Sequence, residues 1–249
     1  MQRLTDKVAI VTGAARGFGR GIAEAYAREG ARVVCADLDE DGARALAGEI
    51  GGVAVGGDIA TEAANEAAVR AALDAFGGLD IVVNNAGWTH RNKPILDVTE
   101  EEFDRVYATN VKSIFWMTRA AIPVLRRQGR GGSVVNISST AGIRPRPGLT
   151  WYNGTKGAVN TVTLAMAQEF ARDNIRVNAV CPVIGLTGLT EAFMGAENTP
   201  ENAARFVATI PLGRMSTPAD IANACVWLAE DASSFVTGVL LPVDGGRTA

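Results

Sequence analysis

Short apolar runs rich in β-branched residues alternate along the whole chain with longer stretches of helical periodicity. A short run bounded by turn residues is typical of a strand buried on both faces of a parallel sheet, and the longer period is typical of an amphipathic helix. The runs predict strands over residues 7–12, 32–36, 53–55, 79–83, 132–137, 175–180 and 239–243.

The helices predicted between these strands are marked by end signals as well as by periodicity. Thr99 and Glu102 have the spacing of a capping box, and Pro218 suits the first position of a helix. The first predicted helix begins in the glycine-rich turn and ends at residue 28. Another extends from Tyr152 towards residue 172, and the rest cover residues 39–49, 61–76, 99–127 and 217–230.

Strands that alternate with helices from end to end predict an α/β fold with one doubly wound parallel sheet of about seven strands. No repeat or linker divides the chain, so residues 1–249 are expected to form a single domain. Residues 183–209 have weak periodicity and many small side chains, and we interpret them as an insertion with short helices that covers a site. Ligands of such a sheet bind at the carboxyl ends of its strands.

The charge, hydropathy and cysteine content of the chain argue against several classes of function. The net charge is −3 with acidic and basic residues interspersed, which argues against nucleic-acid or anionic-membrane partners. No apolar stretch approaches the roughly 20 residues of a membrane span, and the N-terminus lacks signal-peptide features. The three cysteines lack metal-site spacing, so we expect buried thiols in a cytoplasmic protein. With His90 the only histidine, no metal site is predicted.

A glycine-rich turn follows the first predicted strand and opens the first helix. Gly13, Gly17 and Gly19 suit a tight turn, a close backbone approach to phosphate, and close packing of helix on strand. Asp37 ends the next strand, at about the 20-residue interval expected for a carboxylate that binds an adenosine ribose. Together these features predict a dinucleotide site.

Asp37 also bears on which dinucleotide binds. A carboxylate there would repel the 2′-phosphate of NADP, which favours NAD. Arg16, within the turn, argues weakly the other way because a guanidinium suits phosphate, although a solvated loop charge explains it equally well. We expect NAD to be preferred, with some use of NADP.

Candidate acid–base chemistry lies between Ser139 and Lys156. Tyr152 and Lys156 are four residues apart, so a helix places the phenol and the ammonium on one face. A free phenol titrates near pH ~10, and lowering its pKa by about 3 units requires roughly 4 kcal/mol of interaction with an adjacent cation. By itself the spacing also fits an ordinary helix with an exposed Tyr and Lys.

The motifs taken together are similar to those of the short-chain dehydrogenase/reductase family, over essentially the whole chain. The matching positions, in order and at family spacing, are Thr12, Gly13, Gly17, Gly19, Asn84, Asn85, Ala86, Gly87, Asn110, Ser139, Tyr152 and Lys156. The resemblance implies a Rossmann-type domain, commonly a homotetramer or homodimer, that moves a hydride between NAD(P) and an alcohol or carbonyl.

The resemblance also assigns roles by position. Tyr152 is the implied acid–base, Lys156 lowers its pKa and binds the nicotinamide ribose, Ser139 bonds the substrate oxygen, and Asn110 holds a relay water. Two alternatives stay open: Asn110 only kinks its helix, or Ser138 is the working hydroxyl. The implied cofactor residues are Gly13, Arg16, Gly17, Phe18, Gly19, Asp37, Asp58, Ile59, Asn85, Ala86, Gly87, Tyr152, Lys156, Pro182 and Thr187; Asp58 also suits a plain strand-end turn.

One segment departs from the family pattern. Many members have Pro-Gly-x-x-x-Thr after the sixth strand, whereas this chain has Val183 after Pro182, and Gly185 where an aliphatic residue is common. The resemblance therefore leaves the floor of the nicotinamide pocket undetermined.

Substrate specificity in this fold comes from loops over the strand ends. Their apolar and aromatic content favours a hydrophobic ketone or secondary alcohol, although packing beneath a loop explains each residue about as well. His90 fits a loop histidine better than a catalyst. The candidate substrate residues are Ser139, Trp88, Thr89, His90, Trp151, Leu186, Phe193, Met194 and the segment 143–150, with the basic residues Arg91, Lys93, Arg144 and Arg146 nearby.

Three functions are consistent with these observations. The first is an NAD(P)-dependent carbonyl reductase or secondary-alcohol dehydrogenase. The second is a 3-oxoacyl-carrier-protein reductase, for which the nearby basic residues would attract an acidic carrier or its phosphopantetheine. The third, a cofactor-binding protein without catalysis, is opposed by retention of Asn110, Ser139, Tyr152 and Lys156. A stripe formed by Ala158, Val162, Ala165, Met166 and Glu169 packs either on a partner helix or on the sheet.

Overall fold

The computed structural model describes residues 2–185 and 187–249, so the candidate Leu186 lies outside the described residues. Its sheet has seven parallel strands in the order β3-β2-β1-β4-β5-β6-β7, which confirms the predicted Rossmann-type α/β fold. The strands are β1 (Val8–Thr12), β2 (Arg32–Asp37), β3 (Val53–Gly56), β4 (Ile81–Asn84), β5 (Gly132–Ile137), β6 (Ile175–Pro182) and β7 (Leu240–Val243).

Two layers of helices cover the sheet. One apolar core packs α1, α2 and α9 on one face, and another packs α3, α5 and α6 on the opposite face. This arrangement explains why β1 reads as a continuous apolar run, because every one of its residues is buried. The helices are α1 (Gly17–Arg28), α2 (Glu40–Ile50), α3 (Glu62–Phe76), α4 (Glu100–Tyr107), α5 (Ser113–Gln128), α6 (Thr150–Phe170), α7 (Thr190–Met194), α8 (Pro200–Val207) and α9 (Pro218–Ala229).

The order of the strands reverses between β1 and β4, which pair in parallel in the middle of the sheet. At such a switch point the connections leave in opposite directions, so a crevice opens beyond the carboxyl ends. The Thr12 hydroxyl bridges this point by accepting from the backbone N–H groups of Asn85 and Ala86, each at 3.0 Å. The fold therefore places the glycine-rich turn beside the loop after β4.

The helix predicted over residues 99–127 is continuous but not regular. The capping box of Thr99 and Glu102 is present at its start, as the spacing predicts. Between α4 and α5, residues Ala108–Lys112 form a π-helical segment that contains Asn110. Single-turn π segments inside α-helices occur frequently at functional sites.

The small-residue stripe on α6 divides between two environments. Met166 packs in the core against the sheet, whereas Ala165 and Glu169 are exposed and Ala158 and Val162 are half-buried. Of the two alternatives, packing on the sheet therefore applies to Met166 and, in part, to Val162. Within the described ranges, no helix is long and apolar enough to cross a membrane.

Candidate functional site

A cavity of about 1050 Å³ lies at the carboxyl ends of the strands. Residues from both ends of the chain reach it, because parallel strands end at the same edge of the sheet. Of the predicted site residues, those that line it are Gly13, Arg16, Gly17, Phe18, Asp37, Asp58, Ile59, Asn85, Ala86, Gly87, Trp88, Ser139, Tyr152, Lys156, Pro182, Thr187 and Met194.

The glycine-rich turn has the conformation that its sequence requires. Gly13 and Gly17 have φ of +66° and +59°, in the left-handed region that favours glycine. Gly19 does not line the cavity; a Cβ there would lie 2.0 Å from the Gly13 carbonyl oxygen, so its role is close packing of α1 on the turn.

The N-terminus of α1 is open to an anion. Its N-cap residue, Arg16, makes no side-chain cap bond, and the first turn holds no acidic residue. The free N–H groups and the positive end of the helix dipole are therefore available to a phosphate. This end of the cavity fits a dinucleotide pyrophosphate.

Asp37 lies at the carboxyl end of β2 and is held by backbone donors. Its Oδ2 accepts from the N–H of Ala15 at 2.8 Å, and its Oδ1 accepts from the N–H of Asp39 at 2.9 Å. Because these bonds leave each oxygen further lone-pair capacity, the carboxylate can also accept from a ribose hydroxyl. Asp58, whose Oδ1 accepts from Ala60 N–H at 2.9 Å, and Ile59 line the same end.

Asn85 supports the turn from the neighbouring strand. Its Nδ2 donates to the carbonyl oxygens of Thr12 and Gly13, at 2.8 and 3.1 Å. The side chain thus fixes the turn and uses both N–H donors of its amide, while its Oδ1 keeps acceptor capacity. The Asn-Ala-Gly segment therefore acts on the cofactor end by positioning backbone.

The hydroxyl, phenol and ammonium predicted to share a site do so. Tyr152 and Lys156 are buried on α6, with the ammonium 5.6 Å from the centre of the phenol ring. Lys156 Nζ donates to the Ile137 carbonyl oxygen at 2.8 Å, which holds the cation beneath the carboxyl end of β5. Ser139 Oγ accepts from Ala141 N–H at 3.1 Å and faces the same cavity.

The two serines differ in what their hydroxyls already do. Ser138 Oγ is buried and donates to Asn160 Oδ1 at 2.6 Å, in contact also with the Lys156 carbonyl oxygen at 3.2 Å. Ser139 Oγ has only a long contact of 3.5 Å to the Pro182 carbonyl oxygen as a donor. Its hydroxyl is therefore the freer of the two to bond a substrate oxygen.

The electrostatics of the pair differ from the sequence-based expectation. Burial raises the pKa of Tyr152 to about 12, while the nearby Ser139 hydroxyl and the Arg146 guanidinium act in the opposite direction. Burial lowers the pKa of Lys156 to about 8. At the phenol, desolvation therefore outweighs the Ser139 hydrogen bond and the charge of Arg146.

Asn110 lies behind the site and does not line the cavity. Its Oδ1 accepts from Trp88 N–H at 2.8 Å, and its Nδ2 donates to the Trp88 carbonyl and to Thr155 Oγ1, each at 3.0 Å. A Cβ on Gly87 would lie 3.5 Å from Asn110 Oδ1 and 3.8 Å from Lys156 Nζ. The π segment therefore brings Asn110 to the side of Lys156 and ties α6 to the loop after β4.

The departure after β6 has a steric explanation. A Cβ on Gly185 would lie 2.5 Å from the edge of the Phe18 ring and 2.7 Å from Ser216 Oγ. Phe18 thus occupies space that an aliphatic residue would need. Val183 is buried, and its carbonyl oxygen accepts from Ser216 Oγ at 3.2 Å. Phe18 and Ser216 therefore pack at the floor of the cavity, next to Gly185 and Val183.

Among the predicted substrate residues, Thr89, His90 and Trp151 do not line the cavity. His90 is buried in its loop, where its Nδ1 bonds the Arg91 carbonyl oxygen at 2.9 Å. Trp151 points into a cluster with Phe103, which it meets edge-on with ring centres 5.0 Å apart. Both side chains pack against protein in this structure, and their role as substrate contacts stays a prediction.

Phe193, a predicted substrate residue, lines the cavity and meets the Tyr152 ring edge-on, with centres 5.0 Å apart. Other residues reach the cavity without a strong sequence signal. Arg247 follows the carboxyl end of β7, and its place after a strand is the only feature of the sequence that points to the cavity. Cavity residues absent from the predicted site include Leu38, Asp104, Arg105, Arg205, Phe206 and Arg247. Across the residues described, no group of three or more His, Cys, Asp or Glu side chains is arranged to hold a metal ion.

Comparison with known proteins agrees with this geometry. Residues 13–248 match the family model described as "Enoyl-(Acyl carrier protein) reductase". The chain is 53% identical to a 4-formylbenzenesulfonate dehydrogenase of Comamonas testosteroni, covering 98% of each chain. It is 38% identical to an L-2,3-butanediol dehydrogenase of Corynebacterium glutamicum, covering 97% of this chain and 98% of the relative.

A solved structure shows the same fold. The 3-ketoacyl-(acyl-carrier-protein) reductase of Brucella melitensis, complexed with NADH, superposes with a TM-score of 0.93 at 45% identity, covering 99% of this chain and all of that one.

The fold and the site define a nicotinamide-dependent oxidoreductase with a Rossmann-type sheet. The extent and identity of these matches show that the chain belongs to the short-chain dehydrogenase/reductase family.

Proposed function

We propose that the protein transfers a hydride between nicotinamide and the carbon of a ketone or secondary alcohol on a small hydrophobic substrate, with Tyr152 as the acid–base. The observation that carries the proposal is the meeting of Ser139, Tyr152 and Lys156 in the same cavity as the open N-terminus of α1. The butanediol dehydrogenase relative supports an alcohol substrate.

The proton steps use this chain's own residues. A bound nicotinamide would supply the hydride donor or acceptor and, when oxidised, a positive charge beside the phenol. Ser139 Oγ donates to the substrate oxygen, and Tyr152 gives that oxygen a proton in reduction or removes one in oxidation. Lys156 supplies the cation that favours the phenolate. Asn110 fixes the part of the proton path that lies next to Lys156.

The experiment that tests the proposal is a panel of ketones and secondary alcohols, each assayed with NAD and NADP by nicotinamide absorbance. Turnover of at least one pair in both directions is the expected result. Cofactor binding by fluorescence without turnover of any substrate would instead support a non-catalytic protein.

Asp37 should determine cofactor choice. The wild-type protein is expected to have a kcat/KM at least tenfold higher with NAD than with NADP, because the carboxylate repels a 2′-phosphate. Asp37→Ser should reduce that ratio by about 10- to 100-fold, because the ribose hydroxyl loses its hydrogen bond to a charged acceptor. Asp41→Asn, which removes a nearby carboxylate from the exposed side of α2, serves as the matched control. A wild-type protein tenfold better with NADP would contradict the assignment.

The pH dependence follows from the pKa of Tyr152. Since burial raises that pKa, the phenol is protonated near neutrality and must lose its proton before it can act as a base. With saturating NAD, kcat/KM for alcohol oxidation should rise about tenfold per pH unit from about pH 6 until Lys156, whose pKa is about 8, loses its charge, whereas carbonyl reduction should stay flat over that range. Oxidation that slows as the pH rises would contradict a phenolate base.

Two further classes of substrate are each supported by one similar protein. The Brucella melitensis neighbour supports reduction of a 3-oxoacyl thioester, which rates on acetoacetyl thioesters would test. The 4-formylbenzenesulfonate dehydrogenase relative supports oxidation of an aryl aldehyde. Such a reaction uses the same groups, because the aldehyde hydrate is an alcohol: its hydroxyl gives a proton to Tyr152, its carbon gives a hydride, and the product is the carboxylic acid.

We also propose that residues 1–249 act as one domain in which residues 183–209 cover the substrate, and that the chain assembles as a homotetramer or homodimer. α7 and α8 both contribute to the cavity wall, which supports the first point. The exposed part of the α6 stripe and the exposed Phe115 and Leu164 support the second. Light scattering would measure the assembly.

The cytoplasmic location stays a prediction, and all three cysteines are free and buried.

A further inference from the structure

Cationic side chains gather at one end of the cavity. Arg144, Arg146, Arg205 and Arg247 line it, and come from the loop before α6, from α8 and from the C-terminal segment. In the described parts of the chain, no carboxylate lies within 4.0 Å of any of these four guanidinium groups. The cavity's acidic residues are Asp37 and Asp58 at the cofactor end and Asp104 on α4.

Arg146 is the member of this group that is best fixed. It is half-buried, its Nη2 donates to the Phe193 carbonyl oxygen at 2.9 Å, and its guanidinium lies 5.1 Å from the centre of the Phe206 ring. Its own carbonyl oxygen accepts from Asn153 Nδ2 at 2.8 Å, which ties it to the start of α6. The Phe193 bond is the only one found for the guanidinium among the described residues, so further N–H donors remain for a ligand.

The position of Arg146 relates it to the reacting group. Phe193, to which its guanidinium is bonded, is in edge contact with the Tyr152 ring. The charge of Arg146 acts on the phenol, helping to lower its pKa. Burial lowers the pKa of Arg146 itself, Tyr152 opposes that shift, and the charge of Arg247 adds to it. Phe193 therefore links the Arg146 guanidinium to the phenol, and both groups line the same cavity.

We propose that Arg146, assisted by Arg247, binds an anionic substituent of the substrate, a sulfonate or a carboxylate carried on an apolar body. This inference rests on the proposed function and specifies its substrate class. A half-buried cation without a counter-ion is costly, and the planar fork of a guanidinium matches such anions in geometry. The rings of Phe193 and Phe206 beside it suit an aromatic body.

A phosphate of a phosphopantetheine arm has similar chemistry. It is many bonds away from the thioester carbonyl that would react at Tyr152, whereas Arg146 is bonded to Phe193, whose ring contacts the Tyr152 ring. The geometry therefore favours an anion on the substrate itself.

Direct binding tests the proposal without turnover. Benzenesulfonate is expected to bind the NAD-loaded wild-type protein in calorimetry, and uncharged benzenesulfonamide to bind at least tenfold more weakly. Arg146→Met should weaken benzenesulfonate binding by about 10- to 100-fold. Arg127→Met removes the same charge from the exposed end of α5 and should leave it unchanged. Equal affinities for the two probes, or equal effects of the two variants, would overturn the proposal.

Kinetics separate this proposal from the proposed function. The substrates are 1-phenylethanol and its 4-sulfonate, with acetoacetyl-CoA and the phosphate-free acetoacetyl-N-acetylcysteamine as the thioester pair. Arg146→Met should lower kcat/KM for the sulfonate by about 10- to 100-fold more than for 1-phenylethanol, whose own change reports the effect of the lost charge on the Tyr152 phenol. Residual turnover of 1-phenylethanol also shows that the variant folds.

A wild-type protein that turns over 1-phenylethanol without preferring the sulfonate would overturn the anion site and leave the proposed function intact. A loss in Arg146→Met confined to acetoacetyl-CoA would assign the arginine to phosphopantetheine and overturn the proposal. Absence of turnover with every substrate, alongside specific benzenesulfonate binding, would overturn the proposed function and retain the anion site.

Discussion

Replacement of Tyr152 by Phe is expected to lower kcat by about 10²- to 10⁴-fold, the usual contribution of a positioned acid–base group. The ring of Phe preserves the edge contact with Phe193 and the packing of the small core beneath the cavity. Only the hydroxyl is lost, so NAD binding measured by fluorescence should change little while single-turnover absorbance shows the loss of chemistry. The pH dependence of any residual oxidation should also be lost.

A second phenol provides the control. Tyr26 is buried in α1 and donates from its hydroxyl to the Cys225 carbonyl oxygen at 3.0 Å, away from the cavity. Tyr26→Phe should therefore reduce the free energy of unfolding by about 1 kcal/mol and leave kcat unchanged. Near-normal turnover in Tyr152→Phe would remove the phenol from the mechanism, and another proton donor would have to be sought in the cavity.

The fold was predictable because its signals are local and repeated. Each buried strand is a β-branched run, and helix starts such as the Thr99 capping box are determined by neighbouring residues. The meeting of Ser139, Tyr152 and Lys156 was also predictable, since two of them share a helix face and the third ends an adjacent strand. Periodicity did not predict the π segment at Asn110, because a local change of helical pitch leaves the apolar pattern nearly intact.

The substrate end was predicted less well because tertiary contacts determine it. Arg146, Arg205 and Arg247 are far apart in sequence, and only the fold brings their guanidinium groups to one wall. His90 and Trp151 occupy loop and helix-start positions that suit substrate contact, yet their side chains turn inward to pack. The pKa of Tyr152 was equally inaccessible to sequence, since desolvation depends on everything that surrounds the phenol.

Replacement of Gly19 by Ala is expected to weaken NAD binding by about 10- to 100-fold and to cost about 1–3 kcal/mol of stability, as overpacking of a well-packed site does. The added Cβ would lie 2.0 Å from the Gly13 carbonyl oxygen and 2.4 Å from Asn85 Nδ2, so both must shift. Gly13 is held at φ +66° by the turn, and Asn85 Nδ2 is bonded to the Thr12 and Gly13 carbonyls. Displacement of the turn changes the spacing between the phosphate-binding N–H groups and Asp37. Fluorescence titration with NAD and thermal unfolding measure the two effects.

Gly48→Ala distinguishes this close approach from a general effect of adding a methyl group to a helical glycine. Gly48 lies in α2, and a Cβ there meets no atom within 4 Å. Alanine at that exposed helical position should stabilise the protein by about 0.5–1 kcal/mol and leave NAD affinity unchanged. Opposite signs of the two stability changes would show that contact with the turn, rather than helix propensity, determines the effect at Gly19. If Gly19→Ala bound NAD normally, the glycine-rich turn would tolerate displacement, and the phosphate site would have to depend on the N–H groups of α1 alone.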